Sequence, residues 1–124
     1  MARMYERRTK RSAERCEALQ YLVETVADRS GVQALVLVDD DGRIMAGMGV
    51  PRDVVGLVRT ARDVASGTAS PEAVDAAARG ADVTARPVAT PEGTLYFAAI
   101  GDRVAGVGDA VRAVQRIYSE TLPL

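Results

Sequence analysis

Residues 32–38, reading Val-Gln-Ala-Leu-Val-Leu-Val, constrain the fold more than any other stretch of this chain. Only Gln33 interrupts a run of aliphatic residues rich in β-branched side chains. A half-covered strand alternates apolar with polar residues, whereas a strand with no polar face needs cover on both sides. Such a run therefore calls for a central strand with packed layers above and below it. Asp39-Asp40-Asp41-Gly42 follows, and then a second apolar run over 43–48. Two apolar runs joined by a short Asp/Gly connector make a β-hairpin. The three aspartates raise the question of a calcium loop, which needs carboxylates at alternate positions and a distal Glu. Asp39 and Asp41 have the first feature, but no residue at the required distance supplies the second. They read as turn residues whose side chains accept backbone N–H bonds.

The flanking segments carry helical periodicity. Over about 9–29, Cys16, Leu19, Leu22, Val23 and Val26 recur at three- and four-residue steps, with Cys16 read as a buried packing residue, and Ser30-Gly31 stops the helix. A second helix is expected over 51–66, with Pro51 in its first turn and Val54, Leu57, Val58, Ala61, Val64 and Ala65 as its apolar stripe. Its other face carries Arg52, Gly56, Arg59, Thr60, Arg62 and Asp63. A mid-helix glycine costs about 0.5–1 kcal/mol against alanine. Gly56 therefore marks either a close approach by another backbone, such as a partner's helix, or a tolerant surface site. Ser70 and Pro71 resemble a fresh N-cap and first turn for a short helix over 71–79. Strands are expected over 82–89, 94–100 and, briefly, 103–105, with Pro87 pointing to an edge or bulge. A last helix is expected over about 108–121. The fold class expected is α+β: one αββαβββα domain with a mostly antiparallel five-stranded sheet flanked by helices.

Composition limits the chemistry. The 124 residues suit one domain, with no linker that would separate two. With no histidine, Ser-His-Asp and Cys-His machinery and His-containing metal sites are excluded. Five aromatic residues and no tryptophan make a poor stacking platform for single-stranded nucleic acid. The glycine-rich stretch 101–108 matches neither the Walker nor the dinucleotide pattern, and reads as a tight corner before the last helix. The lone Cys16 permits no intramolecular disulfide, and neither a signal peptide nor an apolar span is present, so a cytoplasmic protein is expected. Net charge is −1, yet residues 1–15 hold Arg3, Arg7, Arg8, Lys10, Arg11 and Arg15 against Glu6 and Glu14. This basic segment is read as a solvated tail, with weak contact to a membrane surface as its functional alternative. No cofactor, no metal, no nucleic acid and no enzymatic activity are expected.

Taken together, Gly31-Val32, the apolar strand, Asp41-Gly42, Arg43-Ile44-Met45-Ala46 and the later Gly93-Thr94-Leu95-Tyr96-Phe97-Ala98-Ala99-Ile100-Gly101-Asp102 resemble the Roadblock family. These are small dynein light-chain-like domains, also found in bacterial regulators of Ras-like GTPases. The likeness covers about 12–121, with 1–11 as a basic N-terminal extension. It implies a homodimer in which the third strand pairs across a two-fold axis and the second helices lie side by side. Gly56, Thr60, Val83, Ala85 and Val88 are then interface candidates, with Pro87 removing one donor from the pairing edge. It further implies a non-enzymatic scaffold or regulator of a small Ras-like GTPase, acting where it affects hydrolysis by repositioning the GTPase's own residues. Arg52, Arg59, Arg62 and Asp63 are the candidate partner-binding residues. The rival reading is a small-molecule-binding sensory module of similar α/β architecture.

Overall fold

The apolar run becomes β1 (Ala34–Asp39), every residue of it buried except Asp39. In the computed structural model, which describes the backbone of residues 2–78, 81–101 and 107–120 and side chains over 13–78, 81–101 and 108–119, eight elements follow one another. They are α1 (Ala2–Ser30), β1, β2 (Ile44–Met48), α2 (Pro51–Ser66), α3 (Pro71–Ala78), β3 (Val83–Thr90), β4 (Gly93–Ile100) and α4 (Val107–Glu120). The strands form one antiparallel sheet in the order β2-β1-β4-β3, so the two most apolar strands occupy the centre.

Alternation along β1 divides the core. Leu35 and Leu37 point to the face covered by α1 and α4, where Leu19, Val23, Phe97, Val114 and Tyr118 join them. Ala34, Val36 and Val38 point the other way, to Leu57 and Ala61 of α2 and Ala78 of α3. Each large aliphatic side chain buried this way contributes about 1.5–3 kcal/mol. Cover on both faces is the reason β1 carries no polar stripe.

Local chemistry sets the boundaries. Asp39 Oδ1 accepts the N–H groups of Asp41 (2.9 Å) and Arg43 (2.8 Å), closing the hairpin turn as its sequence suggests. Helix α2 starts at Pro51 and ends at Gly67, which adopts φ 74° and donates its N–H to Val64 O at 3.2 Å. Ser70 Oγ accepts the Ala73 N–H at 3.1 Å, so α3 is capped as expected.

The sheet has four strands among the described residues; the fifth, over 103–105, and most of the glycine-rich stretch 101–108 lie outside them. Two other expectations need correction. Helix α1 begins at Ala2 and not near Thr9, because 2–29 hold no Pro or Gly and are rich in Arg, Glu and Ala, all strong helix formers. Cys16 is exposed, and not a packing residue. The stripe runs instead through Arg15, whose side chain is only 15% exposed, with its guanidinium 2.7 Å from Glu92 Oε2 and 4.7 Å above the Tyr118 ring. Its aliphatic stem does the covering that Cys16 was expected to do.

Candidate functional site

The candidate partner-binding residues lie on the outward arc of α2. Its inward side is fixed by Leu57 and Ala61, which are fully buried. Arg52, Arg59, Arg62 and Asp63 are all exposed, within about a third of the helix circumference. Arg52 stands in the first turn. The other three stand near the C-terminal end, beside the β1–β2 turn. There Arg62 Nε lies 3.6 Å from Asp40 Oδ1, with both side chains more than half exposed. An ion pair so exposed contributes at most about 1 kcal/mol and leaves the guanidinium available.

Asp40 also accepts a hydrogen bond from Tyr96 Oη at 3.0 Å. Burial pushes the Tyr96 phenol above its ordinary value of 10.0, and the bond to Asp40 acts in the same direction. Tyr96 thus ties β4 to the turn that faces α2. Between that turn and Val58, Arg59, Arg62 and Asp63 lies an open cleft of about 240 Å³. On the far side of the turn is a second depression of about 380 Å³, floored by Met45, Leu95 and Tyr118 and rimmed by Asp39–Asp41 and Glu92. Both are shallow; the first carries both signs of charge and the second is acidic. Deep, mostly apolar enclosure marks a small-molecule pocket; a charged open surface suits contact with another protein. Among the described residues no group of His, Cys, Asp or Glu is arranged to hold a metal ion, and no helix is long and apolar enough to cross a membrane.

The interface candidates divide. Strand β3 is an edge of the sheet, and Val83 and Ala85 lie half-buried on its α2 side. Val88 points to the opposite face, where it is fully buried with the α1/α4 core. Thr60 is buried and its Oγ1 donates to Gly56 O at 3.0 Å. At Gly56 a Cβ would stand 3.1 Å from Ala77 O and 3.2 Å from Ala77 Cα, so the backbone approaching there is α3 of the same chain. Thr60 and Val88 are thus buried within the chain, and α3 of the same chain stands against Gly56; the contact of these residues with a partner stays an expectation.

Most of the contacts around the site have no local signature. Asp53 is buried in the first turn of α2, at the positive end of the helix dipole. The contacts Tyr96–Asp40, Arg15–Glu92 and Gln20–Gly47 each join residues far apart in sequence. Only the acidic residue three places into α2 could have been suspected from sequence, as a dipole partner.

No protein-family model matches the sequence, and no curated protein does. Among solved structures the chain is similar to Myxococcus xanthus MglB, at 11% sequence identity over 88% of this chain and 93% of that one, with a TM-score of 0.57. At that identity the likeness is one of fold. It is the likeness that the helix-end glycine, the hairpin and the late strand already suggest: the chain has the Roadblock fold.

Proposed function

We propose that this chain is a non-enzymatic, cytoplasmic, homodimeric scaffold or regulator that binds a small Ras-like GTPase. The observation that carries the reading is the likeness to nearly the whole of MglB, a GTPase-activating protein of the Roadblock fold. The exposed arc of α2 supports it. Arg52, Arg59 and Arg62 offer forked donors to acidic groups on a partner, and Asp63 offers an acceptor. Where the chain affects hydrolysis, it acts by repositioning the GTPase's own residues, as the family resemblance implies. The free edge of β3, with Val83 and Ala85 beside it, is where the second copy pairs.

The test is capture from native lysate on the tagged protein, with GDP and with a non-hydrolysable GTP analogue, read by mass spectrometry. Enrichment of a Ras-like GTPase in one nucleotide state supports regulation, and equal enrichment supports a constitutive scaffold. Its absence from both removes the function. With the GTPase in hand, Arg59→Glu/Arg62→Glu should weaken binding at least about tenfold, since both charges are reversed at one surface. The unfolding free energy from denaturant titration should stay within about 0.5 kcal/mol of the parent, because both residues are exposed. Unchanged capture would move the contact away from α2.

A further inference from the structure

A sheet with two ends has two edges, and this chain treats them differently. Strand β2 is terminal, next to β1 alone. Gly47 lies opposite Val36. Its N–H and C=O are both taken by one side chain of α1: Gly47 N donates to Gln20 Oε1 at 3.0 Å, and Gln20 Nε2 donates to Gly47 O at 2.9 Å. A carboxamide has the donor and acceptor of a peptide unit. Gln20 thus makes the pair of bonds that a residue of an incoming strand would make.

The orientation of that amide is fixed. Gln20 Nε2 also donates to Glu24 Oε1, one turn along α1, at 3.1 Å. Turning the amide over would set its oxygen against two acceptors, Gly47 O and the Glu24 carboxylate, so only one arrangement satisfies all three partners. What it covers is an edge well suited to pairing. Ile44-Met45-Ala46-Gly47-Met48 carries no charge, and Ile44 is 51% exposed. Uncharged, apolar edge strands recruit other strands unless something blocks them.

We propose that Gln20 is an edge guard: its carboxamide occupies the strand-addition position at Gly47 and closes β2 to pairing with the β2 of a second copy. Self-pairing is the occupant the segment favours, because two uncharged copies meet without like-charge repulsion. Glu24 is the positioning residue that holds the amide in register. The inference goes beyond the partner reading and stands apart from it.

Two measurements test it, made under reducing conditions so that the exposed Cys16 forms no crosslink. The first needs no variant. Amide exchange by NMR should find Gly47 N–H protected, although it points away from the sheet; free exchange would overturn the proposal. The second is sedimentation velocity of Gln20→Leu, of similar size but without the amide, across a concentration series. Gly47 exchange should rise roughly tenfold at low concentration, and a species of twice the parent mass should appear on concentration. Parent mass at every concentration would overturn the proposal. Gln20→Glu, which keeps an acceptor for Gly47 N–H and adds a charge at the edge, should stay at parent mass. The readout is doubling relative to the parent, so whether the parent is monomer or dimer tests the proposed function and not this one.

Discussion

Gly56 shows how one residue reconciles an unfavourable local preference with a packing need. Alanine there would gain about 0.5–1 kcal/mol of helix propensity. Its Cβ would also stand 3.1–3.2 Å from backbone atoms of Ala77, which cannot swing aside as a side-chain tip can. Overpacking of this kind costs about 1–3 kcal/mol. Gly56→Ala should therefore destabilise by about 1 kcal/mol net in urea denaturation, and a stabilised variant would mean that α3 yields freely. Tyr96 makes a different point at the same scale. Removing its hydroxyl takes one hydrogen bond from Asp40, worth about 0.5–1.5 kcal/mol. The low end is expected because Asp40 is exposed and water can replace the donor. The phenols of Tyr96 and Tyr118 are both raised above 10.0 chiefly by burial, in Tyr118 against the opposing influence of Arg15. A raised folded-state value means that the unfolded chain gives up these protons first. Both groups are neutral in either state below pH 10, and their contribution is lost as pH climbs from about 10 through the folded values. Denaturation midpoints measured from pH 8 to 11 should fall at the alkaline end, and fall less steeply in Tyr96→Phe/Tyr118→Phe.

At the scale of elements, α3 is short and depends on its cap and on α2. Replacing Ser70 with alanine removes the acceptor for Ala73 N–H and should cost about 1 kcal/mol. Because α3 packs at one end of the fold, the loss should appear first as faster amide exchange over 71–78, with β1 and β4 unaffected. That cap was legible in sequence, as were the central strand, the Asp-Gly hairpin, α2 to the residue and the two long strands, since each has a local pattern that tertiary packing reinforces. Helix α1 was legible except at its outer end. Periodicity scores Arg15 as polar and Cys16 as apolar, yet the Tyr118 ring and Glu92 carboxylate make Arg15 the better member of the buried stripe. The exposed arc of α2 was readable for the same reason the buried stripe was, one being the complement of the other. The cleft beside it was not, because its far wall is the β1–β2 turn, brought there by strand pairing and tied down by Tyr96 from β4.

For the whole molecule the unlike edges decide how copies can meet. With β2 occupied by Gln20, the edge left for pairing is β3. Which of its backbone groups face outward follows from one bond: Gly101 N donates to Asp82 O at 3.0 Å, so Asp82 faces β4. Alternation then sends the backbone groups of Val83, Ala85 and Pro87 away from the sheet. Pro87 therefore lacks a donor on the free edge and not in the ladder, which is where a strand tolerates proline. Its effect is to shorten the usable edge to the stretch around Val83 and Ala85. Ala85→Pro removes the next outward donor while leaving the β3–β4 ladder whole. If copies pair through this edge, the variant should keep its fold by circular dichroism and shift from dimer toward monomer in sedimentation velocity. Capture of a GTPase that needs the dimer should weaken with it. A variant that stays dimeric would place the contact between copies elsewhere, with the exposed face of α2 next in line, and would leave β3 an edge kept from pairing by Pro87 and by the bond from Gln115 Nε2 to Ala89 O.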